Sequence, residues 1–306
     1  MAYGKSINLF LIDGDANGRI KCTLANWTGV AYKIPRTELD LCKERKDLKQ
    51  SGVYCLFGKT EDTDDDVVYI GQAGARKNGE GILNRLQEHK RNPGKDYWTE
   101  AIVFTTSNNS FGPTEISYLE NRFCGLAKQA KRYVVKNEND PTPGNITEEK
   151  ESELEEFIDN AKIIMGTLGH KVFIPIITPS AASVSATPAI AIPDAADEIL
   201  YFNHSGVKAT GKRTTEGFVV FKGSQITSKL TKSCPEPTLR NRKKYANKID
   251  ENFCLMEDIL FSSPSSAASF IGGASLSGNA TWCNAEGITL KNLEQNKACS
   301  SQENTS

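Results

Sequence analysis

Residues 178–196, TPSAASVSATPAIAIPDAA, constrain this chain more than any other stretch. Small side chains and three prolines leave little apolar surface to bury and show neither a helical nor an alternating period. That is the composition of a linker. The chain must therefore build two separate cores, and its 306 residues suffice for about two domains of ordinary size. With 38% hydrophobic and 25% charged residues, both parts are expected to be folded rather than disordered. Eight cysteines are scattered without a C-x-x-C pair, and the only histidines are His89, His170 and His204, so no zinc spacing exists. So sparse a set is read as reduced thiols in a cytoplasmic protein. The opening MAYGKSINLFLIDGD lacks the apolar core of a signal peptide, and no run approaches the ~20 apolar residues that span a bilayer. No membrane partner is expected.

Ahead of the linker, residues 7–12 and 19–25 read as two strands of a hairpin, with Asp13-Gly14 and Asn17-Gly18 between them. A helix is expected from about Thr37 to Gln50. Strands follow at 52–58 and 67–71, separated by the acidic loop Glu61–Asp66. A helix is expected at 81–90, a third strand at 99–106, and a long helix from Pro113 to about Tyr133. The apolar positions Ile116, Leu119, Phe123, Leu126, Ala127, Ala130 and Val134 of that helix keep the 3.6-residue period. Thr147 caps an acidic helix running to about Gly169, with acids in its first turns where the helix dipole favours them. Beyond the linker, ILYF and TEGFVVFKGSQI read as strands, 236–252 as a charged helix, and the tail from Glu294 as polar and frayed.

One ordered set of residues carries chemistry. Gly-Val-Tyr at 52–54 and Tyr-Ile-Gly at 69–71 mean little singly, since buried strand tyrosines are common. They are followed by Arg85 and His89 on a helix, Trp98 before a strand, Tyr118-Leu119-Glu120-Asn121 on the long helix, and Asn137. The succession over residues 52–137 resembles the GIY-YIG nuclease family. The resemblance implies an α+β fold: a small mixed β-sheet nuclease core flanked by helices, plus a smaller C-terminal α+β domain. It divides the chain into an N-terminal hairpin and helix extension at 1–50, the nuclease domain with its acidic helix at 51–175, the linker at 176–196, a basic accessory domain at 197–293 and a tail at 294–306. It also implies that Tyr54 and Tyr69 are the motif tyrosines, Arg85 the helix arginine, Glu120 the carboxylate for Mg²⁺ (or Mn²⁺), and Asn137 the terminal asparagine, with Tyr69 as general base.

These residue types suit phosphodiester hydrolysis, which requires an activated water, charge stabilisation at phosphorus and help for the leaving oxygen. A lone carboxylate can hold one Mg²⁺ that keeps several waters. Arg85 offers a planar fork to the non-bridging oxygens. A tyrosine serves as base only if its pKa falls well below about 10, and physical reasoning does not choose between Tyr54 and Tyr69. His89 lies one turn after Arg85 on the same face, where it could accept a proton or contact phosphate. Helical periodicity leaves Glu115 and Glu120 both open as the metal ligand, while Glu88 and Glu100 are expected to be solvated. The pattern also departs from the family: Gln72 stands where several relatives carry lysine, and the loops 61–66 and 73–80 are long.

A net charge of −1 hides strong segregation. Residues 121–137 hold five cations, among them Lys128, Lys131 and Arg132, and no acid. Residues 208–248 hold eleven cations, including Arg240, Arg242, Lys243 and Lys244, against two acids, whereas 138–160 hold nine acids and one lysine. The two basic stretches are expected to contact a phosphate backbone. The segment from ATGKRTTEGF through W-C-x-x-x-G-I-T-L resembles an uncharacterised domain found C-terminal to GIY-YIG modules. The leading expectation is thus a metal-dependent endonuclease acting on nucleic acid, DNA above all, in repair, restriction or a mobile element. The alternatives are a nucleic-acid-binding protein built on an inactive nuclease module, and an adaptor that binds protein through its acidic helix.

Overall fold

The computed structural model describes residues 3–60, 64–74, 81–176 and 198–303. The linker expected at 178–196 lies outside them, as do parts of the loops expected at 61–66 and 73–80. The chain divides into two compact units, Met1–Pro175 and Ile176–Ser306.

The first unit is a seven-stranded sheet between two helical layers. The hairpin strands β1 (Ile7–Leu11) and β2 (Ile20–Leu24) pair from Ile7 opposite Leu24 to Leu11 opposite Ile20. Asp13 closes their turn by accepting from the backbone N–H of Arg19 at 3.0 Å and from its Nε at 2.9 Å. Next come β3 (Gly29–Pro35), β4 (Gly52–Lys59), β5 (Asp66–Ala73), α1 (Ile82–Arg91), β6 (Trp98–Thr106), α2 (Pro113–Ala130), β7 (Val134–Val135) and α3 (Glu148–Thr167). The strand order is β1-β2-β3-β6-β4-β5-β7, antiparallel except where β7 runs parallel to β5. The sheet runs unbroken across residue 50 because β3 pairs with β6 from Gly29 opposite Thr106 to Pro35 opposite Glu100. Strand β3 has no clear period in sequence because it is covered on both faces: Val30, Ala31, Tyr32 and Ile34 are all buried.

Alternation along each strand sorts side chains between the two faces. Val53, Cys55, Phe57, Ile102 and Phe104 meet α2 and α3, whose Leu119, Phe123, Phe157 and Ile158 close that side. Tyr54, Leu56, Val103 and Tyr32 meet α1 through Ile82, Leu83 and Leu86, together with Leu39 and Leu48.

Three expectations require correction. The helix expected over 37–50 is two short 3₁₀ helices, Arg36–Cys42 and Lys46–Lys49. Tertiary contacts override propensity there: Arg19 Nη1 donates to the Leu41 carbonyl, and Asp47 accepts from Lys21 and from the Tyr32 hydroxyl, each at 2.8 Å. The long helix stops at Ala130 because Lys131 adopts φ +53°, so Val134 lies on β7 rather than in the apolar stripe. Glu100 is half-buried and not solvated, 2.7 Å from His170 Nε2 and 3.2 Å from Lys33 Nζ.

The second unit is a five-stranded antiparallel sheet, with β8 (Ile199–His204), β9 (Val207–Thr214), β10 (Gly217–Val220), β11 (Ile259–Phe261) and β12 (Trp282–Cys283) in the order β11-β10-β9-β8-β12. Around it lie α4 (Glu236–Lys244), α5 (Pro264–Gly272), α6 (Gly278–Thr281) and α7 (Leu290–Glu303). Helix α5 begins where Ser263 Oγ accepts from the Ser266 amide at 3.1 Å, with Pro264 in the first turn. Phe202, Phe218, Phe270 and Trp282 form the core. The charged helix ends at Lys244, short of 252, and a 3₁₀ turn follows at Ala246–Lys248. The tail expected to be frayed from Glu294 is helical through Glu303. Among the described residues no helix is long and apolar enough to cross a membrane.

Candidate active site

The β4–β5 register places Tyr54 opposite Gly71 and Leu56 opposite Tyr69, so both tyrosines stand on the α1 face. Their ring centroids are 6.4 Å apart. The motif glycines have steric reasons. A Cβ on Gly71 would lie 2.4 Å from the Tyr54 hydroxyl oxygen, and one on Gly52 would lie 2.3 Å from the Phe104 carbonyl oxygen. The Tyr54 phenol therefore lies over Gly71, where any side chain would displace it.

Helix α1 brings His89 between the tyrosines, with ring centroids 5.5 Å from Tyr54 and 5.3 Å from Tyr69. His89 Nε2 and the Tyr54 hydroxyl share a 2.7 Å hydrogen bond, at 4% and 1% exposure of the two residues. Burial first, then Lys95 and Arg85, push the His89 imidazole down to about 4, so it is neutral near pH 7. Burial and the neighbouring Tyr69 hold the Tyr54 phenol far above the ordinary tyrosine value, against Arg85. The Tyr54 phenol is thus held in its protonated form.

Tyr69 is only partly buried. Burial and then the Glu120 carboxylate raise its pKa, and Arg85 opposes them. Burial and Glu120 thus outweigh the downward push of Arg85. Arg85, one turn ahead of His89, is held 2.6 Å from Glu88, which is therefore an ion-pair partner and not a solvated acid. Glu120 reaches the same neighbourhood from α2; burial raises its carboxyl above the usual range, with Gln72 and then Arg85 opposing. Glu115, the other carboxylate left open, has a different partner: its Oε2 caps α2 by accepting from the Gly112 amide at 3.0 Å.

Asn137 holds the strand that carries Tyr69. Its Oδ1 accepts from the Ile70 amide at 3.0 Å and its Nδ2 donates to the Ile70 carbonyl at 2.7 Å. Both ends of the amide bind the strand that carries Tyr69, so Asn137 is a clamp on β5. One residue of this layer bears no motif: Lys95, at the end of the 3₁₀ turn Pro93–Lys95, has its Nζ 3.1 Å from the centroid of the Tyr69 ring. The Asn92-Pro93-Gly94 turn ahead of it was the available signal in the sequence.

The cations expected to meet nucleic acid divide into two kinds. In the first unit Lys128 pairs with Asp140, and Arg132 donates to the carbonyls of Ile174 and Pro175. Arg122 is bidentate to Glu155 of α3, at 2.5 and 2.9 Å, so part of the acidic helix neutralises the basic one within the fold. Lys131 is exposed at the end of α2. On α4, Arg240, Lys243 and Lys244 are exposed. Arg242 is not a surface contact: it donates to the carbonyls of Phe270, Thr227 and Ile271 at 2.7, 2.9 and 3.3 Å and lies over the Phe270 ring.

The chain is thus an α+β protein of two sheets, with a cluster of tyrosine, histidine, arginine and glutamate in its first unit. In the second, residues 200–294 match the family described as Domain of unknown function (DUF4357), which fits an accessory C-terminal domain. No curated protein and no solved structure matches the chain. The match does not extend to residues 52–137.

Proposed function

We propose that the first unit is a metal-dependent endonuclease that hydrolyses phosphodiester bonds of nucleic acid, with DNA as the polymer, and that the second unit adds backbone contacts through Arg240, Lys243 and Lys244. One observation carries this reading: Tyr54, Tyr69 and His89 meet on a single sheet face, with Arg85 and Glu120 both close enough to shift the two tyrosines.

Among the described residues no three His, Cys, Asp or Glu side chains gather to hold a metal, so an ion at Glu120 would have at most one further such ligand. That suits Mg²⁺ or Mn²⁺, which takes one or two carboxylates and fills its shell with water and substrate phosphate. Bound at Glu120, the cation would supply charge to the phosphate oxygens and offset the carboxylate that holds Tyr69 up. The chain's own residues do the rest. Arg85, whose Nη1 is paired with Glu88, would turn its remaining donors to the non-bridging oxygens. The Tyr54–His89 pair fixes the floor of the site. Tyr69, the more accessible phenol, would take the proton of the attacking water only after the cation and Arg85 have let its own proton pass to solvent.

Purified protein incubated with linear, branched and damaged DNA, and with RNA, is expected to cut at least one substrate in Mg²⁺ or Mn²⁺ and none in EDTA. Glu120→Ala and Arg85→Ala are expected to abolish that cutting. The non-catalytic alternative is favoured by one observation, that Tyr54, His89 and Asn137 all have structural partners. Wild-type protein that binds the panel and cuts nothing in any metal would establish that alternative and end the catalytic one.

A further inference from the structure

Cations of the first unit are mostly answered by carboxylates: Arg19 by Asp13, Lys21 by Asp47, Arg85 by Glu88, Arg122 by Glu155 and Lys128 by Asp140. Lys95 is different. Among the described residues its half-buried ammonium has no hydrogen bond and no ion pair, and it rests 3.1 Å from the centroid of the Tyr69 ring. An ammonium drawn out of water beside another cation is costly unless an anion joins it.

The position is built rather than accidental. Asn92 Oδ1 accepts from the Gly94 amide at 2.9 Å and shapes the turn. Arg36 Nη1 donates to the Asp96 and Trp98 carbonyls at 2.8 and 3.2 Å, and its Nη2 donates to the Lys90 carbonyl at 3.2 Å. One arginine thus pins the backbone on both sides of Lys95. The hydroxyl of Tyr97, in the same segment, is buried with no hydrogen-bond partner among the described residues. The charged and titratable groups that act on Lys95 or share its ring layer are Arg85, His89, Tyr69 and Glu138.

We propose that Lys95 is a phosphate-contacting residue, paired with Arg85 across the Tyr69 layer to hold one phosphate of the substrate between an ammonium and a guanidinium. The identity of that phosphate as part of a phosphodiester chain rests on the nuclease reading; the anion site itself does not. Ring contact alone leaves the ammonium's N–H donors unused, and a phosphate offers several acceptor oxygens. Burial and Arg85 push Lys95 down to about 8, and a bound anion would push it back up.

The test uses the full chain, with inorganic pyrophosphate as one probe and a fluorescein-labelled duplex as the other. Pyrophosphate is expected to raise the melting temperature of the wild type and of Lys95→Arg, and to leave that of Lys95→Gln unchanged. The slope of log affinity against log salt for the duplex is expected to become shallower by about 0.9 in Lys95→Gln. If Lys95→Gln melts early without ligand, Lys95→Met keeps the stem over the ring and carries the same comparison. Pyrophosphate stabilisation that is absent from the wild type, or equal in the wild type and the neutral variants, would overturn the proposal. Stabilisation that depends on Lys95 in a protein that cuts no substrate would uphold the anion site while the nuclease reading falls.

Discussion

The two faces of the seven-stranded sheet are both covered, but by different means. Towards α2 and α3 the cover is aromatic: Phe104 and Phe123 centroids are 5.9 Å apart, Phe123 stacks on Phe173 at 4.7 Å, and Trp27 meets Phe157 at 4.8 Å. Towards α1 the large rings carry polar tips that need partners. Tyr32 finds Asp47 and Tyr54 finds His89. An apolar face tolerates small adjustments at modest cost, whereas a buried hydroxyl that has a partner, as at Tyr32 and Tyr54, fixes a particular geometry. One face is therefore mainly aromatic packing, and the other adds a fixed polar constellation to its apolar core.

That contrast can be broken in four places. Phe104→Ala opens a cavity in the apolar face and is expected to cost about 3–5 kcal/mol, read from urea unfolding; a cost below about 1 kcal/mol would show that aromatic packing does not support this face. Gly71→Ala drives a methyl against the Tyr54 hydroxyl and is expected to cost about 1–3 kcal/mol by overpacking. That methyl would also meet Tyr54 Cζ at 2.5 Å, so Tyr54→Phe in the same background should leave most of the cost in place.

The third place is His89. Its folded-state pKa, near 4, lies below the ordinary value of about 6.5, so the unfolded chain binds the proton first as pH falls. The contribution of this group should be flat above about pH 6.5 and decline from there towards about 4, no more steeply than about 1.4 kcal/mol per pH unit. His89→Gln should lack that component when melting is followed against pH. The smallest effect is expected for Tyr54→Phe alone, about 0.5–1.5 kcal/mol for one hydrogen bond. Cleavage that survives this change unaltered would confine Tyr54 to holding the fold.

Much of this layering is readable in the sequence where short-range rules apply. The runs at 52–58 and 67–71 match β4 and β5, Pro113 marks the first turn of α2, and Thr147 caps α3 with its Oγ1 3.4 Å from the Lys150 amide. Legibility ends where a distant residue decides. Arg19 takes the Leu41 carbonyl and leaves 3₁₀ turns where a helix was expected. Arg242 looks like one more cation of a basic helix until three backbone carbonyls are found around it. At the candidate site, the spacing of Tyr54, Tyr69, Arg85 and Glu120 can be read from the chain. The presentation of Lys95 cannot, because Arg36 fixes it from 60 residues away in sequence.

The clamp of Asn137 on Ile70 bears on how the protein folds as well as on how it stands. It joins positions 67 residues apart, and the two-residue strand β7 beside it adds only a short parallel ladder. Contacts of such span carry a loop-closure cost that neighbouring hairpins avoid, so they tend to form late. The hypothesis that follows is a kinetic one: the strand bearing Tyr69 is registered after the bulk of the sheet has collapsed. In pulse-labelled hydrogen exchange during refolding, the Ile70 amide should gain protection later than the amides linking β4 to β6; simultaneous protection would refute it. An Asn137→Ala protein would then be slow to mature, and activity lost there would report an unset strand rather than a missing chemical group.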